Sequence, residues 1–147
     1  MGARGAEALA EARVWIGTPY LHQASVQGAG ADCLGLLRGV WRALYGAEPE
    51  PVPAYTPDWS EPSRDETLWR AALRHLDPVP PRAAAPGDVL LFRMHPRAVA
   101  KHLGIIGEIG ERASFIHAYS RHGVVESPLS RAWERRIVAR FAFPETV

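Results

Sequence analysis

The second half of the chain contains five short runs of strand-forming residues, and no connection between them is long enough for a crossover helix. The runs are Asp88–Arg93, His102–Gly107, Ser114–Tyr119, Gly123–Glu126 and Ile137–Phe143. Parallel neighbours need a connection of about a dozen residues or more, so these runs predict antiparallel strands. The short connection 120–122 between the third and fourth runs predicts a hairpin.

The first half of the chain shows helical periodicity instead. An apolar stripe predicts a first helix that ends at Gly17–Pro19; its members are Ala8, Ala12, Trp15 and Ile16. A second helix is predicted over Cys33–Tyr45, followed by Gly46. After a Pro-rich segment, 47–62, a short third helix is expected around Asp65–Leu76. This order predicts an α+β fold, with N-terminal helices packed on an antiparallel sheet of about five strands.

Length and composition fit one domain spanning residues 1–147 and argue against several classes of protein. Hydrophobic residues make up 47% and charged residues 22% of the chain, and the formal net charge is +1 without a large block of like charge. We therefore expect no nucleic-acid partner and no membrane insertion. The longest apolar runs are too short for a transmembrane helix. The first residues contain two Glu and no apolar core, which argues against a signal peptide.

The single cysteine, Cys33, excludes an internal disulfide and a cysteine-based zinc site. It lies at the predicted start of the second helix, while His102 opens one strand and His117 lies within the next. A helix N-terminus and a nearby imidazolium both favour a thiolate, so a lowered pKa of the Cys33 thiol is expected. His102 would then act as general base, with His117 fixing its tautomer. The alternative is a buried core thiol with ordinary strand histidines.

A zinc site is a further alternative, because hydrolytic zinc takes three protein ligands. The residues that could supply them are Asp88, His95, His102 and His117. Their spacing matches no known zinc motif, HExxH included, so we expect neither a metal nor another cofactor.

Several motifs, taken in chain order, resemble the NlpC family of cell-wall cysteine peptidases, which has a papain-like fold. The matching pieces are Gly17–Tyr20 (GTPY), Asp32–Leu36 (DCLGL), Pro86–Phe92 (PGDVLLF), His102–Ile106 (HLGII) and Phe115–Tyr119 (FIHAY). Together they cover nearly the whole chain. The segment Pro53–Trp59 resembles a phage-type branch of this family, encoded near tail genes of phages and of phage-like gene transfer agents.

The resemblance implies a role for each matching residue. Cys33 would be the nucleophile, His102 the general base and His117 the third polar residue. Tyr20 would line the site and bind the oxyanion through its hydroxyl, together with the backbone N–H of Cys33. Asp32 would help to recognise the stem peptide, although it could equally cap the second helix. Leu34 departs from the family, which often has Ser after the Cys.

The function implied by the resemblance is that of a cysteine endopeptidase acting on peptidoglycan stem peptides, at the bond between γ-D-glutamate and the diamino acid. A phage-like particle would use it for local opening of the cell wall, with tail-tip proteins as further partners. The protein would be made in the bacterial cytoplasm without a signal peptide and carried to the wall by the particle. Two alternatives stay open: a structural tail-tip component with weak activity, and an N-acetylmuramoyl-L-alanine amidase.

Overall fold

The computed structural model describes residues 3–53, 55 and 63–147. Four helices are described: α1 Ala3–Val14, α2 Cys33–Tyr45, α3 Thr67–His75 and α4 Arg131–Glu134, with a 3-10 turn at Pro81–Ala83. The strands are β1 Ser25–Val26, β2 Gly30–Ala31, β3 Asp77–Pro78, β4 Val89–Phe92, β5 His102–Ile106, β6 Ser114–Tyr119, β7 Gly123–Pro128 and β8 Ile137–Ala142. Within these ranges no helix combines the length and apolar character needed to cross a bilayer.

The main sheet is antiparallel and has six strands in the order β3-β8-β4-β5-β6-β7. The predicted α+β fold is therefore confirmed, and so is the hairpin, in which Tyr119 pairs with Gly123. The strand beyond the expected five is β3, a two-residue edge strand that pairs with β8. Pro78 lies in β3, and an edge is where a sheet tolerates a residue without an N–H donor.

The two faces of the sheet bury two different sets of side chains, because successive residues of a strand point to opposite faces. Val89 and Leu91 of β4 join the cluster formed with α1 and α2. Leu90 and Phe92 join a second, smaller cluster on the other face. By the same alternation, Ile116 of β6 faces the helices, while Phe115 and His117 lie on the face of Phe92.

Helix α2 sits close to the segments that precede it, and its glycines allow this. A Cβ on Gly35 would lie 1.8 Å from the carbonyl oxygen of Ala24, and one on Gly39 would lie 2.0 Å from Cζ2 of Trp15. Helix α1 ends at Val14. Trp15 directly after it is buried against α2, whereas Ile16 lies in the following turn and is 43% exposed. Placing Ile16 on the buried stripe was wrong, since the helix does not reach it.

Candidate active site

Cys33 is the first residue of α2, and the helix start is fixed locally. The carboxylate of Asp32 caps the helix by accepting a hydrogen bond from the Gly35 N–H at 2.7 Å. The cap role predicted for Asp32 is therefore confirmed. The Sγ of Cys33 lies 3.3 Å from the carbonyl oxygen of Lys101, to which it donates. The N–H of Leu103 also acts on the sulfur and favours its charged form. The thiol thus lies against the backbone on both sides of His102.

The backbone pattern shows where along the sheet this contact is made. Ile106 donates its N–H to Asp88, on the β4 side of β5. Because backbone groups of alternate residues point to opposite edges of a strand, Lys101 and Leu103 present theirs toward β6. The β5–β6 ladder consists of the pairs Ile105–Ile116 and Ile106–Phe115, so it ends before His102. The Cys33 sulfur therefore contacts the β5 chain at the point where β5 and β6 are no longer paired.

The side chains of His102 on β5 and His117 on β6 are hydrogen-bonded to each other across this unpaired part of the two strands. The Nε2 of His102 lies 2.7 Å from Nδ1 of His117, and Nε2 of His117 lies 2.9 Å from Oγ of Ser127 on β7. The ring nitrogen of His102 outside this chain of hydrogen bonds is Nδ1. The structure thus places Cys33 against the backbone on either side of His102, joins His102 to His117, and adds Ser127. Sequence reasoning missed Ser127 because the fourth strand was expected to end at Glu126.

Aromatic side chains enclose the two imidazoles. Trp133 of α4 stacks on His102 with ring centroids 5.5 Å apart and an angle of 29° between the planes. Phe115 lies 4.1 Å from His117 by the same measure. The guanidinium of Arg136 lies over the Trp133 ring, 5.3 Å from its centroid. The His102 imidazole is therefore held among aromatic rings, which leave it few rotamers.

Burial also sets the ionisation of the three candidate side chains. Desolvation of the Cys33 thiol raises its pKa to about 12, with the charge of Asp32 as a smaller cause. Desolvation lowers the pKa of His102 to about 3, and the nearby charges of His117 and Arg136 add to this effect. It lowers the pKa of His117 to about 4. At neutral pH the resting site is thus a neutral thiol beside neutral imidazoles. The expected lowering of the thiol pKa was wrong, because desolvation outweighs the nearby N–H groups.

Tyr20 lies beside the thiol at the edge of the site. It forms an isolated bridge with Ala31, directly before Asp32. Burial raises the pKa of its phenol to about 12, and the charges of Cys33 and Asp32 raise it further, which reflects their proximity. Tyr20 is 36% exposed, so part of it is accessible to solvent.

Asp32 is 3% exposed, and both of its carboxylate oxygens hold internal donors. Oδ1 caps α2, and Oδ2 accepts the Gln23 N–H at 2.8 Å and the hydroxyl of Tyr55. Tyr55 belongs to the Pro-rich segment. Trp59 and most of the stretch Pro53–Trp59 that resembles the phage-type branch lie outside the described residues.

Of the four alternative zinc ligands, only His102 and His117 are in contact with each other. Across 3–53, 55 and 63–147, no group of three or more His, Cys, Asp or Glu side chains is placed to hold a metal ion. Asp88 instead accepts the Ala85 N–H at 2.8 Å, and His95 is exposed.

An apolar cavity of about 240 Å³ lies next to Cys33, between α2, α3 and the Pro-rich segment. Leu34 and Leu103, which flank Cys33 and His102 in sequence, both line it. Leu34, which stands where the resembling family often has Ser, thus forms part of the cavity wall.

Known proteins share this fold. Residues 17–141 match the family model described as the NlpC/P60 family. A NlpC/P60 family protein from Bacillus cereus ATCC 10987 is 18% identical, with a TM-score of 0.64 over 92% of this chain and 39% of that one. The present chain therefore spans well under half of that protein. Among curated proteins, no sequence is significantly similar to this chain.

Two further solved structures match over almost their whole length. The NlpC/p60 domain of the peptidoglycan hydrolase SagA is 22% identical, with a TM-score of 0.61 over 95% of this chain and 98% of that one. An N-acetylmuramoyl-L-alanine amidase from Bacteroides uniformis ATCC 8492 is 13% identical, with a TM-score of 0.60 over the same shares, 95% and 98%. At these identities the likeness shows the fold.

Proposed function

Because this chain belongs to the NlpC/P60 family, we propose that it is a cysteine peptidase that hydrolyses the stem peptides of peptidoglycan. The observation that carries the proposal is the position of the Cys33 sulfur, 3.3 Å from the carbonyl oxygen of Lys101 and so beside His102. His102 in turn is hydrogen-bonded to His117 at 2.7 Å. These contacts support the assignment of Cys33 as nucleophile, His102 as general base and His117 as the group that positions the base.

The proposed reaction starts from the neutral pair. As the Cys33 sulfur attacks the carbonyl carbon of the scissile amide, its proton passes to Nδ1 of His102. The resulting oxyanion accepts hydrogen bonds from the Cys33 N–H and the Tyr20 hydroxyl. Collapse of this intermediate breaks the C–N bond, and His102 returns its proton to the leaving amine.

The second half of the reaction regenerates the enzyme. The acyl group is now held as a thioester on Cys33. A water molecule gives one proton to His102 and attacks the thioester carbonyl, and the released thiolate takes that proton back. The products are a carboxylic acid and an amine, so the overall change is hydrolysis of one amide bond.

The bond that we propose is the one between γ-D-glutamate and the diamino acid, and the proposed setting is local wall opening by a phage-like particle. Resemblance supports both: the motifs around Cys33 and His102 support the bond, and the segment Pro53–Trp59 supports the setting. In this setting the partners are the stem peptide and tail-tip proteins. Cleavage of the glycan–peptide link is a second candidate, favoured by the amidase from Bacteroides uniformis that shares the fold.

Mass spectrometry of fragments released from purified sacculi tests the proposal. The protein and its Cys33→Ala variant are incubated with the sacculi, and Ser114→Ala serves as a matched control. We expect fragments ending in γ-D-glutamate from the wild type and the control, and none from Cys33→Ala. Intact stem peptides freed from glycan would indicate an amidase. No release by folded wild-type protein would favour the structural tail-tip component.

A further inference from the structure

The hydroxyl of Ser127 ends a chain of hydrogen bonds that begins at His102. His102 Nε2 meets His117 Nδ1 at 2.7 Å, and His117 Nε2 meets Ser127 Oγ at 2.9 Å. His117 itself is 0% exposed in the folded protein, so its ring nitrogens take their partners from the protein. The group at the end of the chain can therefore influence the protonation of both imidazoles.

The position of Ser127 follows from the strand pairing. His117 on β6 pairs with Val125 on β7, and Phe115 pairs with Ser127. Residues two apart on a strand share a face, so Ser127 lies diagonally across from His117 on the side of the imidazoles. The opposite face carries Ser114, whose hydroxyl donates to Glu126 at 2.7 Å.

Two arrangements of protons satisfy this chain, and they differ at the base. In the first, His117 donates its Nε2–H to Ser127, its Nδ1 accepts from the Nε2–H of His102, and Nδ1 of His102 keeps a free lone pair. In the second, Ser127 donates to His117, every proton shifts by one position, and Nδ1 of His102 carries a hydrogen. Only the first arrangement allows His102 to take the Cys33 proton.

We propose that Ser127 is a positioning residue that accepts from His117 and so holds His102 in the tautomer with a free Nδ1. The proposal rests on the proposed function, since it assigns His102 the role of base. Ser127 is half-buried, so its own hydroxyl proton can be given to water while Oγ accepts. When His102 becomes an imidazolium during the reaction, the same direction of hydrogen bonding stabilises it through His117.

The test combines turnover with nitrogen NMR of the histidine rings, in which protonated and unprotonated ring nitrogens have distinct shifts. Ser127→Ala removes the acceptor, and Ser127→Thr restores a hydroxyl. Ser127→Asp supplies a group that, when ionised, can only accept. Ser114→Ala is the matched control, because it deletes a half-buried hydroxyl from the same strand pair on the opposite face.

For Ser127→Ala we expect partial protonation of His102 Nδ1 in the resting protein. We also expect kcat to fall by about twofold to about tenfold with little change in KM, the factor that corresponds to one net hydrogen bond. Thr and Asp at this position should keep Nδ1 unprotonated, as should the Ser114→Ala control. Urea unfolding verifies that each variant is folded.

A Ser127→Ala spectrum identical to that of the wild type would overturn the proposal, and so would a wild type in which His102 Nδ1 is already protonated. These spectra are recorded without substrate. The positioning role is therefore supported even if the wild type releases no fragments from sacculi, a result that would overturn only the proposed function.

Discussion

Removing the carboxylate of Asp32 tests whether this residue holds Cys33, the proposed nucleophile, in place. In Asp32→Ala the N–H of Gly35 loses its cap, which lies at 2.7 Å, and the N–H of Gln23 loses its acceptor at 2.8 Å. A lost cap costs about 1 kcal/mol, and each of the other two lost hydrogen bonds, from the Gln23 N–H and the Tyr55 hydroxyl, costs about 0.5–1.5 kcal/mol. We therefore expect the free energy of unfolding to fall by about 2–4 kcal/mol.

Asp32→Asn divides this loss into its parts. The amide oxygen can still accept from the Gly35 N–H, and the amide NH2 can donate to the Tyr55 hydroxyl, but the Gln23 N–H loses its acceptor. The expected decrease is about 0.5–1.5 kcal/mol, smaller than for Asp32→Ala. Asp88→Ala is a matched control, because Asp88 is also a buried carboxylate that accepts one backbone N–H, from Ala85 at 2.8 Å.

Urea unfolding gives the free energies, and the rate of iodoacetamide alkylation reports on Cys33 in the same samples. Asp32→Ala should change the alkylation rate because the start of α2 shifts, whereas Asp88→Ala should leave it unaltered. An Asp32→Ala protein that unfolds at the wild-type urea concentration yet fails to cleave stem peptides would refute this reasoning. Asp32 would then act on the substrate alone.

Three further outcomes are expected. Burial lowers the pKa of His102 to about 3 and that of His117 to about 4, from 6.5, so the unfolded chain binds more protons below pH 6.5. The stability contributed by the two neutral imidazoles should be complete above that pH. On acidification the free energy of unfolding should fall by up to about 1.4 kcal/mol per pH unit for each extra proton that the unfolded chain binds. Urea midpoints between pH 7 and pH 4 should fall less steeply in His102→Gln, and an equal slope would count against a neutral pair. Gly35→Ala should destabilise the protein, because its Cβ would lie 1.8 Å from the carbonyl oxygen of Ala24; a gain in urea resistance, as at an exposed helical glycine, would contradict this close approach. Activity should persist in EDTA and disappear after iodoacetamide treatment, since the proposed nucleophile is a thiol; a loss in EDTA that zinc restores would point to a metal site.

The elements predicted correctly from the sequence are those with a strong local pattern. Helix α2 has the predicted bounds, Cys33–Tyr45, because one apolar face and a capped start agree with each other. Strand β6 also has the predicted bounds, Ser114–Tyr119. The two-residue strands and α4 were missed, because segments this short have no periodicity. They form through tertiary pairing, as β3 does with β8.

The motifs around Cys33, His102 and His117 predict a common site, and the electrostatics of that site could not be predicted from them. In the structure the Cys33 sulfur contacts the backbone beside His102, and His102 is hydrogen-bonded to His117. The ionisation of the thiol depends on how much water reaches it, which no local pattern encodes. Ser127 depends on a strand that continues two residues beyond the predicted end, to Pro128.

The most direct test of the account is to trap the acyl-enzyme. Wild-type protein is mixed with a stem peptide, quenched in acid during turnover and analysed by intact-protein and peptide mass spectrometry. The account predicts an added mass equal to the acyl fragment ending in γ-D-glutamate, located on Cys33. It also predicts neither adduct nor hydrolysis with Cys33→Ala. Hydrolysis at the wild-type rate by folded Cys33→Ala protein would contradict the proposed mechanism.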